Sequence, residues 1–303
     1  MAVEVLFLGG HMESKKLLSY TILFCAVFFL SSSAIFVRLA EAPSAITAFY
    51  RLLLAAAVLV PALLWQKEGR QQLLGLSSRQ RLLGLLSGLV LALHYVMWFE
   101  SLRFTSVASS VVLVTLQPLF TIIGDYLLWQ QRYSAKALAG CGLAILGSAY
   151  IGWGDFKIGW EAFLGDLLAL GAAAVIAVYF LIGQQVRKQL SLVPYCVLGY
   201  GSGACFLGLY ALALGDGFSG YSCSTWWAFA GLAFVSTILG QFIFNWLLKW
   251  LSATVISMSI LGETIGTCIL SYFILQEVPS LQQLFGMTAI LLGIGMFLHY
   301  KEK

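Results

Sequence analysis

Charged residues are scarce in this sequence. Asp, Glu, Lys and Arg make up 10% of its 303 residues, whereas 60% are apolar. A water-soluble domain of this length could not cover so much apolar surface, so the composition excludes a soluble globular protein and predicts a polytopic membrane protein. The formal net charge of +4 reflects where Lys and Arg flank the apolar runs. It does not predict a nucleic-acid-binding surface.

Motifs for catalysis, metal binding and secretion are also missing. The six Cys residues form no CxxC pair and no disulfide framework, and Asn245 is the only Asn, so there is no glycosylation sequon. The sequence contains no HExxH, Walker loop or GxSxG motif. We therefore expect no catalytic centre, no metal site and no cofactor.

Long charge-poor runs dominate what is present. A transmembrane helix needs roughly 20 residues, and ten runs fit. They lie at about residues 17–37, 44–65, 82–102, 105–129, 137–153, 163–186, 192–214, 225–248, 251–275 and 282–300, and we number them spans 1 to 10. The predicted fold class is an all-α polytopic membrane protein with ten transmembrane helices.

Lys and Arg predict the orientation of these spans, because cytoplasmic loops carry an excess of both. With both termini cytoplasmic, only Arg38, Arg51, Arg103 and Lys157 of the 17 basic residues lie away from that side. We expect a multi-pass protein of the cell inner (plasma) membrane. Residues 1–12 resemble the remnant of a tag and are left out of the fold argument.

Spans 4 and 9 carry the same pattern of polar residues, and an offset of 146 residues superimposes them. On a helix, one stripe contains Ser106, Ser110, Gln117, Thr121 and Asp125, and the other contains Ser252, Ser259, Glu263, Thr267 and Ser271. Gly140 and Gly147 match Gly286 and Gly293 at the same offset. We therefore predict two five-helix repeats, 13–153 and 154–303. Five spans is an odd number, so the second repeat is inverted in the bilayer, with a site near the midplane between the halves.

Polar residues inside the spans are the candidate site. Glu263 lies near the middle of span 9, where an ionisable group is costly and is a functional candidate. Gln117 precedes Pro118, which removes a backbone donor and predicts a break in span 4. Gln241 and Asn245 lie one turn apart in span 8 and must face the protein interior. Packing alone remains an alternative for Glu263, and Asp125 is expected to be hydrated near the membrane surface.

Three other features could contribute to this site. His94 and Trp98 lie one turn apart in span 3, with His94 either hydrogen-bonded between helices or contacting a solute. Tyr95 and Tyr179 suit amphipathic organic solutes. Arg51 of span 2 is a candidate charge contact. The alternative is that it snorkels outward or pairs with Glu100.

These residues carry a family resemblance over Met12 to Lys303. The segments AFYRLLLAA, LRFTSVASSVVLVTLQPLF and LGETIGTCILSYFILQEVPSLQQLFGMTAILLGIG resemble the EamA branch of the drug/metabolite transporter superfamily. The resemblance implies a central cavity lined by spans 1, 3, 4, 6, 8 and 9, export of amino acids, metabolites or drugs, and roles for Gln117 and Glu263. Family members commonly have Glu-Pro where this chain has Glu263-Thr264, so no proline predicts a break in span 9.

The leading hypothesis is a secondary transporter of small organic solutes, in which Glu263 binds a cationic group of the solute or exchanges a proton. A passive facilitator of the same solutes is the alternative, and a membrane-embedded lipid-modifying enzyme is a third hypothesis that lacks the expected motifs. The expected partners are a small organic solute, H⁺ as one option, and the lipid bilayer. The expected state is a monomer or a weak homodimer, and no nucleic-acid partner is expected.

Overall fold

The computed structural model describes residues 12–152, 159–275, 278 and 280–301. The predicted tag remnant, apart from its last residue, and the predicted boundary between the repeats at 153/154 lie outside these residues. All regular secondary structure in the described part is helical, as an apolar chain in lipid requires, because a helix pairs its own backbone N–H and C=O groups.

Within the described residues, nine helices are long and apolar enough to cross a membrane, and a tenth apolar helix, Ala135–Ile151, is shorter. The all-α, ten-helix prediction is confirmed. The helices are Met12–Ser31 and Ser33–Leu39 in span 1, Ser44–Trp65 in span 2, Ser78–Phe104 in span 3, Val107–Val114 and Gln117–Trp129 in span 4, Ala135–Gly152 in span 5, Trp160–Val186 in span 6, Leu192–Leu214 in span 7, Cys223–Gly231, Leu232–Gln241 and Phe242–Leu247 in span 8, Ala253–Ile260 and Glu263–Leu275 in span 9, and Leu281–Tyr300 in span 10. A short helix, Lys67–Leu74, connects spans 2 and 3.

Local sequence sets where several of these helices begin. Ser77 and Gln80 form a reciprocal capping box at the start of span 3, and Ser280 and Gln283 form a second one at the start of span 10. In each box the serine hydroxyl accepts from the backbone N–H of the glutamine and the glutamine side chain accepts from the backbone N–H of the serine. Both N–H groups would otherwise lack a partner at the helix start. A polar S-x-x-Q signal therefore marks where the chain enters the membrane.

The packing of the helices follows the repeat. Spans 1 to 5 are equivalent to spans 6 to 10 in the repeat, and equivalent spans contact each other in the pairs 5–10, 2–7 and 4–9. Other contacts occur twice, once in each equivalent position. Span 3 contacts span 6 as span 8 contacts span 1, and span 3 contacts span 7 as span 8 contacts span 2. The two halves are therefore related by an approximate two-fold axis.

Span 5 and span 10 show that the second repeat is inverted. A Cβ on Gly140 would lie 2.7 Å from the carbonyl oxygen of Gly293, and one on Gly147 would lie 2.7 Å from that of Gly286. Residue numbers therefore increase along span 5 as they decrease along the adjoining span 10, so these two equivalent helices are antiparallel. No side chain fits at these contacts, which is why glycine is required there and why spans 5 and 10 pack closely.

The two ends of the described chain lie at the same face. Lys301 Nζ donates to Tyr20 Oη at 3.0 Å, and Ser134 Oγ donates to the carbonyl of Tyr300 at 2.5 Å. We call this side the terminus face and the other side the opposite face. Spans 2, 4, 6, 8 and 10 begin at the opposite face.

Candidate functional site

Spans 4 and 9 are both interrupted at the same position of the repeat. Val107–Val114 and Gln117–Trp129 in span 4 correspond to Ala253–Ile260 and Glu263–Leu275 in span 9 at the offset of 146 residues. Ser106 and Ser252, also equivalent, each cap the start of their span by accepting from a backbone N–H. The second half of each span therefore begins in the middle of the protein, at Gln117 and at Glu263.

The break in span 9 corrects the expectation drawn from its missing proline. The turn at Leu261–Gly262 is closed by bonds to residues three positions earlier, from Leu261 N to the Met258 carbonyl at 3.3 Å and from Gly262 N to the Ser259 carbonyl at 3.0 Å. Glycine is a poor helix former, and Ser259 Oγ donates to the carbonyl four residues before it, an interaction that bends helices. Glycine and serine here replace the proline of span 4.

The two break residues are buried. Glu263 is 7% exposed and Gln117 is 4% exposed, and each is the first residue of its half-helix. A helix N-terminus carries partial positive charge from its unpaired N–H groups, which favours an anionic or acceptor group there. Among the described residues, no hydrogen bond or ion pair involves the Glu263 carboxylate.

Arg51 is fully buried, at 0% exposure. Its Nε donates to Thr237 Oγ1 at 2.9 Å and its Nη1 donates to Ser33 Oγ at 2.7 Å. Its guanidinium carbon lies 4.4 Å above the ring of Tyr95, a cation–π contact. No carboxylate of the described residues lies within 4.0 Å of it.

These contacts overturn both structural alternatives for Arg51. The side chain does not snorkel outward, and Glu100 pairs with Arg103 at 3.1 Å at the surface of the protein. Hydroxyl groups of spans 1 and 8 hold Arg51 inside, so snorkelling is unnecessary. A buried cation with only neutral hydrogen-bond partners is costly, and a second charged group nearby reduces that cost.

Glu263, Arg51 and Tyr95 lie near enough to one another to interact electrostatically. His94 lies beside them, with its ring stacked on Trp98 at a centroid distance of 6.0 Å. His94 Nδ1 is 3.0 Å from the carbonyl oxygen of Ala172 in span 6, so the predicted hydrogen bond between helices is present. We call Arg51, His94, Tyr95, Trp98 and Glu263 the central polar group.

Seven buried side-chain polar atoms have no hydrogen-bond partner among the described residues. Tyr95 Oη and Trp98 Nε1 belong to the central polar group, and Gln117 Oε1 and Gln241 Nε2 belong to spans 4 and 8. The other three are Asp125 Oδ1, Tyr195 Oη and Ser257 Oγ. A buried polar atom without a partner costs about 1–3 kcal/mol. Such atoms are explained when a ligand or water occupies the space beside them.

Tyr179 and Asn245 belong to a different arrangement. Asn245 Nδ2 donates to Tyr179 Oη at 2.7 Å and to Tyr200 Oη at 3.1 Å, while Tyr179 Oη donates back to Asn245 Oδ1 at 3.0 Å. Arg187 Nε donates to the Asn245 carbonyl at 2.9 Å and its Nη1 to the carbonyl of Leu190. We call Tyr179, Arg187, Tyr200 and Asn245 the Asn245 cluster, and its partners are protein groups.

Asp125 is also held by protein groups, which corrects the expectation that it is hydrated. It is 2% exposed, and its Oδ2 accepts from Tyr133 Oη and from Thr254 Oγ1, each at 2.6 Å. These bonds join the end of span 4 to the start of span 9 at the terminus face. Burial, and then the bond to Asp125, raise the pKa of the Tyr133 phenol.

Three residues that support the site, Ser33, Arg187 and Thr237, were not predicted from the sequence. Thr237 lies four positions before Gln241 on the same helix, so the polar face of span 8 could have been extended to include it. Ser33 is one of three consecutive serines in span 1, and the sequence does not distinguish which of them contacts Arg51. Nothing in the sequence indicated that Arg187, which ends span 6, turns inward.

Comparisons with known proteins agree with this architecture. A family model described as the EamA-like transporter family matches residues 17–153 and 163–298. An uncharacterized transporter of Bacillus subtilis (strain 168), YdfC, is 23% identical over 212 residues, which cover 69% of this chain and 68% of that protein. A solved crystal structure is similar with a TM-score of 0.74 and 18% identity, covering 93% of this chain and 97% of the other.

The ten spans of the described residues, arranged in two inverted repeats, are consistent with the membrane transporter family whose model matches the chain. The chain belongs to the EamA-like transporter family, which is part of the drug/metabolite transporter superfamily. Its surroundings are the lipid bilayer and its cargo is a small solute.

Proposed function

We propose that this protein is a secondary transporter that exports small organic solutes, amino acids among them, across the cell inner membrane by alternating access. The observation that carries the proposal is the matched pair of breaks in spans 4 and 9. They place Gln117 and Glu263 at half-helix N-termini, and buried polar atoms of Tyr95, Gln117 and Gln241 have no hydrogen-bond partner among the described residues. Discontinuous helices at the interface of inverted repeats are typical solute sites.

Charge supports a zwitterionic or amphipathic solute. The guanidinium of Arg51 suits an anionic group, and the carboxylate of Glu263 suits a cationic one or a proton. The rings of Tyr95 and Trp98 offer an apolar surface with a polar edge between them. Gln117 and Gln241 supply an acceptor and a donor that no group of the described residues occupies.

The orientation is part of the same proposal. Lys and Arg flank the spans mainly at the terminus face, which supports cytoplasmic termini and an inner-membrane location. A monomer contains the whole site, so the proposal needs no second subunit. Reporter domains fused after Lys301 should be active in the cytoplasm, and activity of a periplasmic reporter there would contradict this orientation.

The test of function is uptake of radiolabelled amino acids and related metabolites into proteoliposomes, with and without a pH gradient. The wild type should move at least one solute faster with the gradient, while Glu263→Gln should keep exchange and lose the gradient response. Glu100→Gln is the matched control, because its carboxylate lies in a surface pair with Arg103.

The outcomes separate the alternatives. Transport that ignores the gradient in the wild type would favour a passive facilitator. A Glu263→Gln variant that matches the wild type in both conditions would make Glu263 a packing residue, and the transporter proposal would then need another coupling group. Absence of transport for every solute would refute the solute class.

A further inference from the structure

Two irregular helical segments meet beside Arg51. Span 1 is interrupted at Ser32, and span 8 widens into a π-helix over Leu232–Gln241. The hydroxyl oxygens of Ser32 and Ser236 lie 3.0 Å apart, which joins the two segments directly. A π-helix is rare and is found frequently at functional sites, so this pairing of irregular segments calls for a functional explanation.

The π-helix fixes the hydroxyl of Thr237. Thr237 Oγ1 donates to the carbonyl of Leu232, five residues earlier, at 2.8 Å. This bond uses the hydroxyl proton and directs the oxygen lone pairs toward span 2, where they accept from Arg51 Nε at 2.9 Å. Thr237 is fully buried, so water does not compete for this position.

Two further contacts complete the support of the guanidinium. Ser33, directly after the interruption of span 1, accepts from Nη1 at 2.7 Å, and the ring of Tyr95 covers one face at 4.4 Å. A guanidinium is a planar fork whose donors keep fixed directions. Thr237 accepts the Nε–H and Ser33 accepts one of the two Nη1–H groups. The second Nη1–H and both Nη2–H groups have no described partner, so the Nη2 edge of the guanidinium can meet a ligand.

We propose that Thr237 is a positioning residue that holds Arg51 so that its Nη2 edge binds the carboxylate of the transported solute. The inference rests on the proposed function and adds a substrate requirement to it: solutes with a free carboxylate are preferred over their neutral amides. Thr237 acts through Arg51 and does not itself touch the solute.

The test uses proteoliposomes containing the full chain and a panel of radiolabelled amino acids, each competed by the unlabelled amino acid or by its primary carboxamide. In the wild type the amino acid should compete and the carboxamide should not. In Thr237→Val, which keeps the shape and removes the hydroxyl, KM should rise roughly tenfold with a smaller change in kcat, because a hydrogen bond to a charged group is lost. The preference over the carboxamide should fall to a similar degree.

Two variants serve as controls. Thr237→Ser keeps the hydroxyl and should restore both KM and the preference. Thr47→Val removes a buried hydroxyl whose one bond among the described residues is to the carbonyl of Pro43, the residue before span 2, and it should behave as the wild type. If Thr237→Val does not fold, Ser33→Ala tests the same support from span 1 and should lose the preference too.

Three results would overturn the inference. A carboxamide that competes as well as its amino acid in the wild type refutes the carboxylate requirement, while the transport itself leaves the proposed function standing. An unchanged preference in folded Thr237→Val, or in Ser33→Ala where that variant is used, refutes the positioning role. No transport of any panel member by the wild type refutes both this inference and the proposed function.

Discussion

The central polar group and the Asn245 cluster are both buried in the membrane part of the protein, yet they differ in how many of their polar atoms have hydrogen-bond partners. In the Asn245 cluster the side-chain amide and the hydroxyl of Tyr179 bind each other and neighbouring protein groups. In the central polar group, Tyr95 and Trp98 each keep a buried polar atom without a described partner, as do Gln117 of span 4 and Gln241 of span 8. The difference indicates that the first set maintains the fold and the second is available to a solute.

The largest expected change in stability comes from removing the side-chain amide of the Asn245 cluster. Asn245→Ala leaves the hydroxyls of Tyr179 and Tyr200 without their partner. We expect a loss of about 2 kcal/mol or more in the free energy of unfolding, because each orphaned buried group costs about 1–3 kcal/mol. Thermal unfolding of the purified protein measures it.

Gln241→Ala is the matched control one turn away. Its Nε2 has no partner among the described residues, so stability should change by much less than in Asn245→Ala, while transport should fall. Equal destabilisation by the two substitutions would remove the distinction between the regions.

A smaller effect is expected from deleting one hydroxyl in each region. Tyr179→Phe loses bonds to Asn245 and should cost about 1 kcal/mol. Tyr95→Phe removes a hydroxyl with no described partner and keeps the ring under Arg51, so its stability should stay close to that of the wild type. Denaturation curves measure the stability of both variants, and transport rates measured alongside show whether each remains functional. A larger loss of stability in Tyr95→Phe than in Tyr179→Phe would contradict the prediction.

The smallest effect concerns pH. The pKa of Tyr133 is raised in the folded protein by burial and by its bond to Asp125, so the folded state holds this proton after the unfolded chain has released it. Stability from this residue is therefore present below about pH 10 and falls as the pH rises beyond that value. Tyr133→Phe should show a shallower loss of stability on the alkaline side, and an identical slope would contradict the assignment.

Hydropathy and charge were sufficient to predict the spans, because lipid requires long apolar helices and positive loops. The 146-residue offset likewise predicted the inverted halves, and the glycines of spans 5 and 10 confirm it. The short helix Lys67–Leu74 and the π-helix of span 8 were not predicted. Mean hydropathy identifies membrane spans, but it does not distinguish a helix from a loop outside the membrane or a π-helix from an α-helix within it. The predicted repeat boundary at 153/154 stays a prediction.

The site was harder to predict because pairing depends on tertiary geometry. Asn245 and Gln241 are similar amides one turn apart, yet only Asn245 meets the tyrosines of spans 6 and 7. The sequence alone is compatible with an Arg51 side chain that snorkels outward. The structure excludes this, because the hydroxyls of Ser33 and Thr237 bind the guanidinium inside the protein. The break in span 9 depends on Gly262 and on a serine bond to its own backbone, which are weaker signals than a proline.

The most direct test of the account measures stability and transport together in Glu263→Gln. The carboxylate has no described hydrogen-bond partner, so the account predicts a melting temperature close to the wild-type value together with loss of the response to a pH gradient in proteoliposomes. A variant that unfolds at a clearly lower temperature, yet transports like the wild type per folded molecule, would show that Glu263 serves the fold and would contradict the central claim.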